Sequence, residues 1–546
     1  MDDNLLLLWN STSSGEVKVK QLSEIIDLSM KQTRRKLHQW QEEGWLTFQS
    51  GKGRGNVSIL QWIKDVEVTY EKLFLAKIET YSIEEISKLL LLNWSLETKQ
   101  RLMNIFQSKF GFHQEDLDRL IIPRYYHFLT FHPLKAADVH SANLVANVYN
   151  RVVALNEDNT ITSELAHSWE LTATKLTLYL RKDIHFHDGS ILKAEDVVLS
   201  FKGMKQSREY AELWSPIINI SSPSPLVVEL EFTDGCTYIL QLLSMIPASI
   251  HKEVHGQIIG TGSFYIAEDS EEKTLLCAFK QFFRERPLLD RVEFIQVSKE
   301  FNALYYGANE SKNVGTFEVE SDSGFGIVLL NPFRPTDMAR KEVRDYIHML
   351  IDQNRQQISQ VHTRISENTS GCLIGYSKPY SMPKIKKPIM TGPLIMKVVS
   401  YAKDVSYWLK DILEQAGLAV VIEEISFQDA VNKDQFNLDA DLFVHGEIFE
   451  LNQSFSYFFF LKNAFSPLHK LTQTDIKLKQ LILGYNDLPF EQWTDHHLKI
   501  EDYLIQNSLC IPLYYSKRQI PFSINLMNVE IKHFGYVDLA KLWMKS

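Results

Sequence analysis

Residues 29–40, Ser29-Met30-Lys31-Gln32-Thr33-Arg34-Arg35-Lys36-Leu37-His38-Gln39-Trp40, decide how the N-terminal part of this chain folds. Ser29 followed three residues later by Gln32 is a capping-box pattern, so a helix opens just after Ser29. Met30, Thr33, Leu37 and Trp40 recur at spacings of three and four and predict one buried stripe. Lys31, Gln32, Arg34, Arg35 and His38 then lie off the stripe, on a basic outward face. Working outward, Leu5–Trp9 reads as a short apolar helix and Gln21–Asp27 as a second one. Downstream come a strand, the turn Gly51-Lys52-Gly53-Arg54-Gly55, and a second strand over Val57–Trp62. Three helices followed by a glycine-rich basic hairpin predict a winged helix-turn-helix.

In such a module the third helix meets base edges mainly through its N-terminal half. Arginine matches guanine O6/N7 and glutamine matches adenine N6/N7, which points to Gln32, Arg34 and Arg35 as base readers. Lys31 and Lys36 suit phosphates, and His38 completes the outward face. Lys52 and Arg54 at the hairpin tip would lie along the backbone or in the minor groove. A basic helix alone reads as a solvated surface; helix, turn, basic helix and basic wing in this order point to double-stranded DNA.

Charge distribution agrees. Residues 1–64 hold nine Lys/Arg against seven Asp/Glu, a net of +2 within a chain whose total is −10, so the remainder carries −12. Six of the nine cations fall between Met30 and Asn56. Phosphate contacts supply much of the affinity of a DNA-binding module, so this concentration matters more than the modest total. At 546 residues the chain exceeds a single core, and length alone suggests about three to four domains. No apolar run approaches the roughly 18–20 residues that span a bilayer. The start, Met1-Asp2-Asp3, is acidic where a secretory leader is basic, which predicts a cytoplasmic protein. Cys236, Cys277, Cys372 and Cys510 are widely spaced and read as core thiols rather than a disulfide framework or a zinc site.

The expected organisation is a winged helix-turn-helix over residues 1–64, a helical linker over 65–120, and a ligand-sensing body over 121–546. In the linker, Tyr70–Ile78 is amphipathic, Ser82-Ile83-Glu84-Glu85 is a capping box opening a helix over Ile86–Asn93, and a further helix runs from Glu97 to Lys109. From Ile122 helix and strand mix. Lys175–Arg181 alternates with a period of two, His185-Phe186-His187-Asp188-Gly189 is a turn, and Lys193–Phe201 is a helix with acidic residues in its first turn.

Leu165-Ala166-His167-Ser168-Trp169, Leu180-Arg181, Phe186-His187-Asp188-Gly189 and Ala194-Glu195-Asp196-Val197 together resemble the signature of extracytoplasmic solute-binding proteins of the peptide and nickel type, family 5. Ile259–Phe264, Leu330-Asn331 with Arg340–Ile347, Leu413–Leu418, Asp441–Val444 and Ile511–Tyr514 resemble later motifs in the same order, so the likeness covers about residues 120–540. Leu8-Trp9, Gln39–Leu46 and Gly53-Arg54-Gly55 extend it to the SgrR-like transcriptional regulators, which join a winged helix to this solute-binding fold.

The resemblance implies a multidomain protein: an α+β winged helix-turn-helix followed by a two-lobed α/β periplasmic-binding-protein-like fold of type 2. It implies a regulator whose DNA binding responds to a small-molecule effector, with sugar-phosphate stress and transport genes as family precedents. In peptide-binding relatives an acidic residue after a D-L-x-x-x-G-W strand meets the ligand amine. Aligning Asp441-Leu442 places Glu447 on the aromatic position and Glu450 on the acidic one, a ligand-binding pair suited to an amine and repellent to a sugar phosphate.

His185 and His187 belong to the turn scaffold and lack the further ligands of a metal site. Gly260-Thr261-Gly262 is too short for a phosphate loop. No catalytic constellation is recognisable, so neither enzyme activity nor a cofactor is expected. A homodimer on a two-fold operator is favoured over a monomer on an asymmetric site. The rivals are a transport receptor that binds a solute or peptide for a permease, and a DNA-binding protein with a ligand-free body.

Overall fold

The computed structural model describes the chain except residues 52–56, 79, 108–109, 115–116, 157, 234–235, 302–315, 362–364, 433–438, 450–451, 464–465, 524–525, 530, 533–535 and 546. The N-terminal head folds as α1 (Asp3–Ser11), β1 (Gly15–Val17), α2 (Val19–Ile25), α3 (Met30–Glu42), β2 (Leu46–Gln49) and β3 (Ser58–Trp62). The capping box of α3 forms as expected: Gln32 N–H donates to Ser29 Oγ at 3.4 Å, and Ser29 N–H donates to Gln32 Oε1 at 3.1 Å. Thr33, Leu37 and Trp40 are fully buried. Met30 is not; at 51% exposure it sits in the first turn, ahead of the point where α3 meets the core. The three-residue β1, too short to carry a pattern, pairs with β3, which also pairs with β2.

Three further helices follow: α4 (Val66–Lys77), α5 (Ile83–Leu90) and α6 (Leu96–Gln107). The Ser82–Glu85 box caps α5, which therefore opens three residues earlier than expected. These helices share one apolar core with the head, in which Leu5, Leu37, Trp40, Phe74, Leu90 and Phe106 are all buried. Trp45 meets Tyr70 edge-on at 5.4 Å, and Tyr70 meets Trp94 at 6.5 Å. The stretch expected to be a helical linker is thus packed against the head. Its last residues are strands: β4 (Gly111–Gln114) and β5 (Asp118–Arg124) form one edge of a five-stranded sheet, followed inward by Arg291–Gln296, Lys273–Ala278 and Phe264–Asp269.

Strand alternation gives that sheet two apolar faces. Ile121 and Ile295 face the core of the head and its helices, where Phe106 meets Phe301 at 5.6 Å. Leu120, Val292 and Phe294 face the opposite core with α7 (Val139–Val148). A four-stranded sheet (Ala166–Leu171, Lys175–Leu180, Val227–Phe232 and Ile217–Ser224) adjoins, and the alternation expected for Lys175–Leu180 appears as buried Leu176, Leu178 and Leu180. The second lobe is a six-stranded mixed sheet in the order Ile365–Glu367, Cys510–Ser523, Thr316–Leu330, Leu442–Ile448, Leu394–Val398, Val420–Glu424. Helices Lys341–Asn354 and Lys403–Gln415 cover one face; Gln453–Lys462 and Trp493–Gln506 pack on the other. The strands are accordingly apolar on both sides, with Val328 in one core and Leu329 in the other.

Candidate DNA-reading face and ligand cavity

Lys31, Gln32, Arg34, Arg35 and His38 are exposed on α3. Among the described residues Lys31, Arg34 and Arg35 enter no ion pair, which leaves three full charges on one outward face. The cap takes up Gln32 Oε1, which accepts from Ser29 Oγ at 2.6 Å as well as from the backbone, so only the amide donors of Gln32 face outward. His38 stands edge-on to Phe48 at 6.2 Å.

Lys36 is used differently from the phosphate contact expected of it. Its Nζ donates to Asp2 Oδ2 at 2.8 Å, and Trp40 Nε1 donates to the same oxygen at 3.1 Å. Asp2 also caps α1 through Asn4 N–H, and its own N–H donates to the Tyr70 hydroxyl of α4 at 2.8 Å. One residue thereby fixes α1, α3 and α4 together. Burial pushes the Asp2 carboxyl up, but the hydrogen bonds from Lys36 and Trp40 outweigh it and hold the group below the usual carboxylate range. A helix face contributed at residue 36 is thus answered by an acid at residue 2, a pairing no local pattern signals. Lys52 and Arg54 lie outside the described residues.

Between the lobes is a cavity of about 470 Å³. One wall comes from the start of α7 with Tyr210 and Met245-Ile246-Pro247; the other comes from the six-stranded sheet and helix Gln453–Lys462. Its lining is mostly ring and aliphatic carbon, with Phe325, Phe449 and Phe460 in mutual contact at 4.8–6.3 Å. Glycines shape the sheet side. A Cβ on Gly326 would lie 2.1 Å from the Tyr514 ring, and one on Gly324 would lie 2.1 Å from Ser516 Oγ; bare backbone lets Tyr514 and Ser516 lie across the strand and line the cavity.

Polar groups are few. Glu447 lines the cavity and shares a 3.2 Å contact with His445 Nε2, whose Nδ1 is 3.5 Å from the Tyr401 hydroxyl. Burial raises the Tyr401 hydroxyl well above its ordinary range, and the Glu447 charge adds to that. Tyr514 is pushed up to about 12 by burial, so both phenols stay protonated. Asp138 Oδ1 caps α7 by accepting from His140 and Ser141 N–H at 3.0 and 2.9 Å. Glu450, the other expected ligand-binding carboxylate, lies outside the described residues. The cavity residues from α7, Met245–Pro247 and Phe455–Phe460 carry no local sequence signal that marks them as a site.

The remaining motifs are scaffold. His187 N–H donates to Gly260 O at 3.0 Å and its ring contacts Gly262 O at 3.1 Å, so the His-Asp-Gly turn and the Gly-Thr-Gly turn are one joint. Burial pushes His187 down to about 4, which keeps it neutral. A Cβ on Gly260 or Gly262 would sit within 2.5 Å of Val148 O at the end of α7. Asp441 is buried and bridged by Arg334 at 2.8 Å, tying two strands and the Asn331–Thr336 loop.

Two families match the two parts. Residues 4–115 match the family described as sugar transport-related sRNA regulator, N-terminal. Residues 160–317 match the middle region of the bacterial extracellular solute-binding proteins, family 5. The HTH-type transcriptional regulator SgrR of Photorhabdus laumondii is 23% identical over all of this chain and 98% of its own length, and that of Yersinia pestis is 22% identical over the same shares. The chain is SgrR-like, with a family 5 solute-binding domain. Solved structures agree on the fold of the SgrR-like body. The periplasmic binding protein DppA of Helicobacter pylori in complex with the peptide STSA is 14% identical and superposes with a TM-score of 0.67, over 78% of this chain and 98% of that one. NikA from Brucella suis in complex with Fe(III)-EDTA is 13% identical with a TM-score of 0.64, over 78% and 100%. Among the described residues no helix is long and apolar enough to cross a membrane.

Proposed function

We propose that this chain is a DNA-binding transcriptional regulator whose solute-binding-like body senses a small molecule in the cavity between its lobes and modulates promoter binding. It acts in the cytoplasm, without catalysis, and as a homodimer on a two-fold operator. The chain resembles the HTH-type transcriptional regulators SgrR over its whole length, and its own two parts match the regulator's N-terminal family and the family 5 solute-binding proteins. Arg34 and Arg35 read bases, Lys31 and the Lys52/Arg54 wing hold phosphates, and Lys36 orients α3 through Asp2.

The observation that carries the reading is the joint between head and body. The unpaired cations of α3 belong to a head whose core runs without interruption through α4–α6 to Ile121 and Ile295. The other face of that same sheet packs α7, whose first turn lines the cavity. One sheet therefore separates the DNA-reading unit from the ligand wall. Lobe closure biases DNA affinity only as far as the ligand favours one lobe arrangement over the other.

Gel shifts on the chain's own upstream DNA, across a salt series, test the reading. Sequence-specific binding that weakens with salt is expected, and loss of it in Arg34→Ala or Arg35→Ala with an unchanged melting temperature. Normal operator affinity in both variants would sink the assignment of α3.

A further inference from the structure

Base edges in the major groove differ in what they offer. Guanine shows the acceptors O6 and N7, and thymine shows the acceptor O4 beside a methyl group, whereas adenine and cytosine also show amino donors. A helix surface that carries donors alone can meet the acceptors and leaves the amino groups unanswered. The first two turns of α3, Met30 to Leu37, form such a surface.

Lys31, Arg34 and Arg35 are exposed there, and their side chains hold N–H donors and no acceptor. Gln32 is the one outward side chain of these turns with an oxygen, and that oxygen is taken. Ser29 N–H donates to Gln32 Oε1 at 3.1 Å, and the Ser29 hydroxyl donates to it at 2.6 Å. Because a backbone N–H only donates, it fixes the amide with its oxygen on Ser29 and its nitrogen outward. Pairing with adenine needs that oxygen for N6, so it would undo the capping box that starts the helix. Thr33 Oγ1 is buried and donates to Ser29 O at 3.0 Å. The carboxylates nearest in sequence, Asp27 before the helix and Glu42 and Glu43 at its end, stand outside these turns, and Glu43 is engaged by Gln39 Nε2 and Trp45 Nε1. Met30 adds apolar surface in the first turn, 51% exposed and four residues before Arg34.

Resting on the reading of α3 as the DNA-reading helix, we propose that α3 reads its operator through acceptor and methyl edges alone. Arg34 and Arg35 take guanine O6/N7, Met30 meets a thymine methyl, and Gln32 is a helix cap in place of an adenine reader. The amino groups of adenine and cytosine then receive no contact from this helix.

Selection by the full chain from a random duplex library, with its own upstream DNA alongside, supplies a bound sequence. Gel shifts then follow that duplex with single bases replaced. 7-Deazaguanine, which lacks N7, should weaken binding about tenfold or more at the guanines under Arg34 and Arg35. Purine for adenine and 2-pyrimidinone for cytosine remove only the amino groups and should each change binding by less than about twofold. Uracil for thymine should weaken binding about fourfold at the position under Met30, the effect of one buried methyl group, and Met30→Ala should abolish that difference. Gln32→Ala should lower the melting temperature through the lost cap and leave the base preference at every position unchanged. A tenfold loss on removing an amino group under α3, or a relaxed preference at an A·T pair in Gln32→Ala, would overturn the proposal. Uracil tolerated at every thymine would strike Met30 from the readers. Failure to select any sequence would instead refute the DNA-reading assignment on which the proposal rests.

Discussion

The outward face of α3 and the cavity between the lobes are electrostatic opposites in one chain. On α3, Lys31, Arg34 and Arg35 stand in solvent, with no carboxylate paired to them among the described residues. In the cavity, Glu447 supplies a carboxylate, and among the described residues that line it none is lysine or arginine. The difference in sign fits the proposed division of labour, in which the outer face of α3 meets a polyanion. The net charge of −9 over residues 121–546 follows the same division, since a body that repels DNA leaves contact to the head.

Reversing the first half of the comparison has the largest expected effect. Arg34→Glu combined with Arg35→Glu should lower specific operator affinity by about 100-fold or more and narrow the gap between specific and non-specific binding, measured by gel shift on operator and scrambled DNA. The melting temperature should not move, because both side chains are exposed. Retained affinity would remove α3 from the DNA interface.

Glu501 tests how strongly the body resists negative charge even from its own side chains. Burial pushes its carboxyl up to about 7, against the hydrogen bonds from Ser377 Oγ and Cys372 N–H that favour the ionised form. A folded value above the unfolded one means that folding favours the protonated acid. Its contribution is therefore present in full below the ordinary glutamate range and is lost as pH rises through about 7. The linked loss is about 3 kcal/mol. Chemical denaturation between pH 4.5 and 8 should show it, and Glu501→Gln, which keeps an acceptor for Cys372 N–H, should remove the slope. An unchanged slope in the variant would mean that Glu501 ionises normally.

Gly326→Ala sharpens the cavity side. Its Cβ would meet the Tyr514 ring at 2.1 Å, so the ring must leave its place in the wall. Overpacking of this kind costs about 1–3 kcal/mol, read as a lower melting temperature, while operator binding by the unliganded protein persists. Unaltered thermal stability would show that the strand yields without moving Tyr514.

The smallest effect is expected at Asp2→Asn. Solvent screens the half-exposed pair with Lys36, so the change should cost no more than about 1 kcal/mol, read from the melting of the head. Because the Asp2 carboxyl is held low, the wild-type contribution is present above the ordinary aspartate range and disappears as pH falls through the lowered value. The variant should show a reduced acid dependence there and a Lys36 freed toward solvent.

The head was legible in the sequence to within a few residues. Capping boxes at Ser29 and Ser82 and the apolar spacing of Leu37 and Trp40 are local signals, and they appear where the pattern puts them. Met30 departed because a spacing rule extends a stripe to the helix end without knowing where the neighbouring elements stop. In the body, the His-Asp-Gly turn and the alternation over Lys175–Leu180 were legible for the same local reason. Glu447 was reached by its place in a strand motif, and the structure puts it on the cavity. Asp138, Asn463, Tyr401 and Phe325 were not, since they come from separate segments with no common period.

The sequence by itself determined the elements: which stretches become helices, which face of each is apolar, and that a basic helix precedes an acidic body. These follow from interactions within a few residues of chain. Only the tertiary structure decided that Lys36 is paired to Asp2, that residues 65–107 pack with the head instead of tethering it, and that Phe325, Tyr401 and Asn463 line one cavity. Each of those depends on atoms brought together from across the chain, where burial sets the cost of an unpaired charge and hydrogen-bond geometry sets which partner relieves it.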